Sequence, residues 1–92
     1  MLKLTQAEMD FVAYFMETEY GIGCGYVFYD EWNMKTTRGT MSSLKKKGVI
    51  MNIDEDWKYT GCSPSSWISF NMDMLTELGR ILDENNVRWR WN

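Results

Sequence analysis

A single α+β domain is predicted for this 92-residue chain, and three observations predict it. Two segments, one opening at Thr5 and one at Met74, carry apolar residues at helical spacing. Between them a polar, lysine-rich stretch runs into Gly48 and then the β-branched pair Val49-Ile50, as a helix stopped by glycine with a strand behind it would. Short runs of β-branched and aromatic residues, bounded by turn residues, supply further strands.

The first helix has a defined start. Thr5 and Glu8 stand at capping-box spacing, so the hydroxyl can accept from the Glu8 amide while the carboxylate reaches back to the Thr5 amide. Phe11, Val12, Phe15 and Met16, with Tyr14 alongside, make one apolar face. Glu17 and Glu19 lead to Gly21, near which the helix is expected to stop, and Gly21, Gly23 and Gly25 form a flexible turn. Residues 26–32 fit two patterns: Val27, Phe28 and Tyr29 favour strand, and Val27, Phe28, Glu31 and Trp32 make one short helical face. Their place between two helices decides for helix, with Asn33 and Met34 as the turn behind it.

The basic stretch is the third helix, residues 35–47. Thr37, Thr40, Met41 and Leu44 line its inner face, and Lys35, Thr36, Arg38, Gly39 and Ser42 lie outside. Lys45, Lys46 and Lys47 sit at the negative end of the helix dipole. Residues 49–53 read as a strand, Asp54-Glu55-Asp56 as an exposed turn and residues 57–60 as the returning strand. After the loop at 61–66, residues 67–70 extend the sheet. Leu75, Leu78, Ile81 and Leu82 then give the last helix over 74–83, which Asn85-Asn86 ends. The core is expected over 4–84, within one domain spanning 1–92, with 85–92 as an aromatic and basic tail.

Charge is unevenly distributed. Residues 35–50 carry five basic residues and no acidic one, whereas the other 76 residues hold five basic against thirteen acidic, a balance of −8. A local basic face can bind phosphate, but the remainder of the chain repels it. Five Trp, five Tyr and four Phe exceed what so small a core easily hides, so some belong on a working surface. No apolar run approaches the roughly 18–20 residues that span a bilayer, and the opening residues lack a signal-peptide pattern, so a cytoplasmic protein with no membrane partner is expected.

Histidine is absent, which removes the commonest general base and metal ligand. Cys24 and Cys62 lack metal-ligand spacing and are expected as reduced thiols. The glycine run 21–25 follows a helix and has no P-loop lysine, which excludes a nucleotide loop. Neither catalytic residues, nor a metal, nor a cofactor is expected.

Two local patterns carry a family resemblance. Leu44-Lys45-Lys46-Lys47-Gly48-Val49-Ile50 resembles the junction between recognition helix and wing in bacterial regulators of the MarR and PadR type. Leu75-Thr76-Glu77-Leu78-Gly79-Arg80-Ile81-Leu82 resembles the segment that opens the helix after the wing in those families, and the opening Leu4-Thr5-Gln6-Ala7-Glu8 looks like their helix starts. The resemblance covers about residues 4–84. It implies a small winged helix-turn-helix: a three-helix core, a β-hairpin wing and a C-terminal helix. The chain departs from the pattern in four ways: a longer interval between the two motifs, which implies an enlarged wing or an extra strand; an acidic wing tip, where these families often carry Arg or Lys; Gly39 inside the helix; and no match to the long flanking helices through which MarR-type proteins dimerise.

The function expected on this reading is a DNA-binding transcriptional regulator of phage or bacterial style, working as a dimer on double-stranded DNA, with helix 35–47 in the major groove. Arg38 would pair with guanine, Thr36 and Ser42 would bond phosphates or bases, Lys35 and Lys46 would neutralise phosphate, Gly39 belongs to the same outer face, and Lys58 adds a cation on the wing. The alternative is a protein-interaction module, a phage- or plasmid-type inhibitor or adaptor, acting through an acidic and aromatic surface. The tail contributes to that surface with Trp89 and Trp91 on one side and Arg88 and Arg90 on the other. It fits an added strand, an edge that pairs with another chain, or a platform for single-stranded nucleic acid.

Overall fold

A computed structural model describes residues 2–55 and 64–89. They form helix α1 (Gln6–Phe15), a small hairpin of β1 (Glu17–Thr18) and β2 (Gly21–Ile22), strand β3 (Cys24–Phe28), helix α2 (Met34–Lys46), strands β4 (Ile50–Asp54) and β5 (Ser65–Phe70), a 3-10 turn (Met72–Met74) and helix α3 (Leu75–Glu84). The α+β class holds. The main sheet has the order β3-β5-β4, and both pairings are antiparallel.

Burial alternates along β3 and β5 because successive side chains point to opposite faces, and a register shift after Ile50 interrupts the alternation in β4. Val27, Ile50, Ile68 and Phe70 face inward, where they meet Phe11, Val12 and Phe15 of α1, Met41 and Leu44 of α2, and Leu78 and Leu82 of α3. Each such side chain stabilises the fold by roughly 1.5–3 kcal/mol relative to exposure, which makes this one cluster the main source of cohesion.

The helix expected over 26–32 is not formed. Those residues give most of β3 and then a turn, in which the amides of Glu31 and Trp32 both donate to the Phe28 carbonyl. The strand wins because all five β3 residues find partners on β5, from Cys24 opposite Ser69 to Phe28 opposite Ser65. Gly25 lets β3 pass close to α1: a Cβ there would stand 3.2 Å from the Phe15 ring. The three helices of the described chain are therefore α1, α2 and α3, with no short helix ahead of α2.

Helix α1 ends at Phe15, earlier than the stop expected near Gly21. The chain turns instead into the β1–β2 hairpin, closed by the Gly23 amide donating to the Met16 carbonyl at 2.9 Å and the Thr18 hydroxyl donating to the Cys24 carbonyl at 2.6 Å. Gly21 and Gly23 adopt φ of +130° and +68°, which side chains resist.

Strand β4 pairs antiparallel with β5, residues 65–70, and the strand expected to return over 57–60 lies outside the described residues. The tail is not a strand over 87–89. Asn86 takes φ 57°, and the Val87 amide donates to the Leu82 carbonyl, so the chain folds back until the Trp89 ring lies beside Gly79.

Candidate nucleic-acid interface

Helix α2 is defined at both ends by its own sequence. The Asn33 side chain accepts from the Thr36 amide at 3.0 Å. At the other end Gly48, at φ +80°, donates to the Lys45 carbonyl while Val49 donates to that of Leu44, a paired closure that suits glycine. Thr37, Met41 and Leu44 are buried as expected, and Thr40 is half-buried. Lys35, Thr36, Gly39, Ser42, Lys45 and Lys46 are exposed, and Arg38 is intermediate.

Lys35, Gly39, Ser42 and Lys46 succeed one another at spacings of four, three and four. With 3.6 residues per turn they form a single ridge, diametrically away from the core-facing stripe and roughly 16 Å long. Among the described residues nothing outside the helix's own backbone lies within 4 Å of where a Gly39 Cβ would be, so the middle of the ridge is open on that side of the described fold.

Two of the five basic residues in this stretch are engaged within the fold. Lys47 Nζ lies 2.6 Å from Glu8 Oε1 and also donates to the Lys3 carbonyl. Glu8 is buried, and its other oxygen accepts from the Ser43 hydroxyl at 2.7 Å. Burial alone would raise the Glu8 pKa, but the bonds from Lys47, the Thr5 amide and Ser43 outweigh it and hold the carboxyl at about 2. Arg38 donates to Glu55 at 2.7 Å and lies over the Tyr29 ring, 5.5 Å from its centroid. Glu55 also accepts from the buried Ser66 hydroxyl, which is 2.6 Å from the Tyr29 hydroxyl. The first residue of the acidic tip, Asp54, is exposed, but Glu55 is thus a half-buried anchor rather than a solvated turn residue. Lys35, Lys45 and Lys46 have no ion-pair partner among the described residues.

Lys58, Arg90 and Trp91 lie outside the described residues. Arg88 is exposed and Trp89 half-buried, away from α2. Arg80, in the second motif, is held by Glu77 and Glu84 of its own helix.

Reasoning from sequence missed the Glu8–Lys47 and Arg38–Glu55 pairs. It also missed a cleft of about 740 Å³ between the C-terminal half of α1, the β1–β2 hairpin, β3 and residues 87–89, to which α2 contributes no lining residue. The excess of aromatic residues was the signal for some such surface. Among the described residues no His, Cys, Asp and Glu cluster is placed to hold a metal ion, and no helix is long and apolar enough to cross a membrane. Cys24 carries a free, half-buried thiol. No family model, no curated protein and no solved structure matches this chain.

Proposed function

We propose that this protein binds duplex DNA, as a small winged-helix-like regulator that lays α2 in the major groove. The observation that carries the reading is the Lys35–Gly39–Ser42–Lys46 ridge, whose lysines have no ion-pair partner among the described residues and whose centre is open. The order of the described elements supports it: α2 runs directly into β4, which pairs antiparallel with β5 in the position of a wing, and α3 follows. In place of a short second helix, β3 and one turn stand ahead of α2, so the likeness to a winged helix rests on α2, the antiparallel β4–β5 pair and α3.

On this reading Lys35, Lys45 and Lys46 neutralise phosphates, and Ser42 and Thr36 bond phosphate oxygens or base edges. Gly39 lets the groove wall approach the helix backbone. Arg38 fixes α2 to β4 through Glu55 and reads guanine only by exchanging that partner. Three lysines with no ion-pair partner among the described residues, set against an acidic remainder, give weak binding by a lone copy, so useful specificity requires a dimer. The test is fluorescence anisotropy with mixed-sequence duplex, comparing the protein with its Lys35→Glu/Lys46→Glu variant. Loss of binding in the variant supports the reading, and equal affinity removes α2 as the reader.

One observation favours a second reading, that of a protein-interaction module. The cleft away from α2 is lined by carboxylates and tyrosines, which suit a cationic protein partner and not DNA.

A further inference from the structure

The cleft beside the β1–β2 hairpin combines two features that separately carry a cost. Tyr14, Tyr20 and Tyr26 stand 55, 45 and 39% exposed around it, more open aromatic surface than a small soluble domain usually leaves in one place. Asp10, Glu17, Glu19 and Glu31 line the same cleft, and none of the four has an ion-pair partner among the described residues. Arg88 is the cation of the lining.

The aromatic wall is held in place. Tyr20 and Tyr26 meet edge to face at 5.2 Å, and both pack on Trp67 of β5, at 5.8 and 4.8 Å. Tyr26 belongs to β3, which is an edge strand of the sheet, so an extended chain can run alongside it.

Charge decides the class of ligand. Nucleic acid could stack on the tyrosines but would be repelled by the carboxylates. A neutral apolar ligand would strip water from the carboxylates without pairing them, which is unfavourable. A lysine or arginine side chain satisfies both features, with its charge over a tyrosine face and its donors on a carboxylate. The volume falls in the roughly 300–1,000 Å³ range of small-ligand sites, enough for one such side chain and its adjoining backbone.

We propose that this cleft docks a basic, extended segment of a partner protein, with an arginine or lysine set against Tyr20 and Tyr26 and paired with Glu17 or Glu19. The inference deepens the second reading above and is independent of DNA binding by α2.

The test titrates the protein with a fluorescent hexapeptide of alternating glycine and arginine, and with its glycine–glutamate counterpart. The arginine peptide binds and the glutamate peptide does not. Tyr20→Ala and, separately, Glu17→Gln/Glu19→Gln weaken binding by about tenfold or more, whereas Asp73→Asn, which removes an exposed carboxylate of the 3-10 turn that lines no part of the cleft, leaves it unchanged. Circular dichroism establishes that each variant is folded, and unaltered DNA binding by the cleft variants separates this site from α2. An equal loss in Asp73→Asn would mean general charge attraction and overturn the proposal. So would binding indifferent to Tyr20, or self-association abolished by Lys35→Glu/Lys46→Glu, which would make the occupant a second copy.

Discussion

Glu8 and Lys47 are 39 residues apart in sequence and 2.6 Å apart in the fold, joining the start of α1 to the end of α2. The same carboxylate that caps α1 by accepting from the Thr5 amide at 2.7 Å holds α2 through Ser43 and Lys47. One buried charge therefore fixes the angle at which α2 presents its outer ridge.

Because the folded Glu8 carboxyl is depressed from 4.5 to about 2, its contribution is fully present above pH 4.5 and is lost as pH falls towards 2. Urea denaturation between pH 7 and pH 2 should show a decline of about 3 kcal/mol from this group. Glu8→Gln should lose a similar amount at pH 7 and flatten the decline.

Lys46 and Lys47 are neighbours with opposite assignments. Lys47→Met should cost roughly 1–3 kcal/mol of stability, because it leaves Glu8 buried without its cation. Lys46→Glu should barely change stability and should weaken DNA binding. Denaturation and anisotropy on the two variants separate the roles, and a reversed pattern would put Lys47 on the binding face.

Gly39→Ala should raise stability by up to about 1 kcal/mol, since alanine favours helix and its Cβ meets none of the described residues within 4 Å. If a groove wall comes close at this point, the same change should weaken duplex binding. A more stable variant with unaltered affinity would show that DNA does not approach the ridge there.

Glu55→Gln removes the charge that Arg38 faces at 2.7 Å. The guanidinium becomes available to phosphate or guanine, so duplex affinity at low salt should rise by roughly three- to tenfold. An unchanged affinity would assign Arg38 to holding α2 against β4 alone.

The parts of the fold written in local patterns were legible in the sequence. The Thr5–Glu8 capping box forms, Gly48 and Asn86 end their helices, and the inner face of α2 is the predicted one. Residues 26–32 were not legible, because a period of two and a period near 3.6 both fit them. Pairing with a strand some 40 residues on decides between the two, with Tyr26 opposite Trp67. The exposed lysines of α2 could be read from helical spacing, but which cations are spent inside the fold could not. Glu8 and Glu55 reach Lys47 and Arg38 only through tertiary packing. The cleft draws its walls from residues 10–31 and 87–89, segments whose proximity no local pattern announces.

DNA binding through the α2 ridge is best tested by its salt dependence on a mixed-sequence duplex, measured by anisotropy from about 20 to 200 mM salt. Three lysines on phosphate predict that the logarithm of affinity falls with the logarithm of salt at a slope of roughly −3 per copy, and that the slope shrinks by about 2 in Lys35→Glu/Lys46→Glu. Absence of binding at the lowest salt, or a slope untouched by those substitutions, would contradict a DNA-reading role for α2.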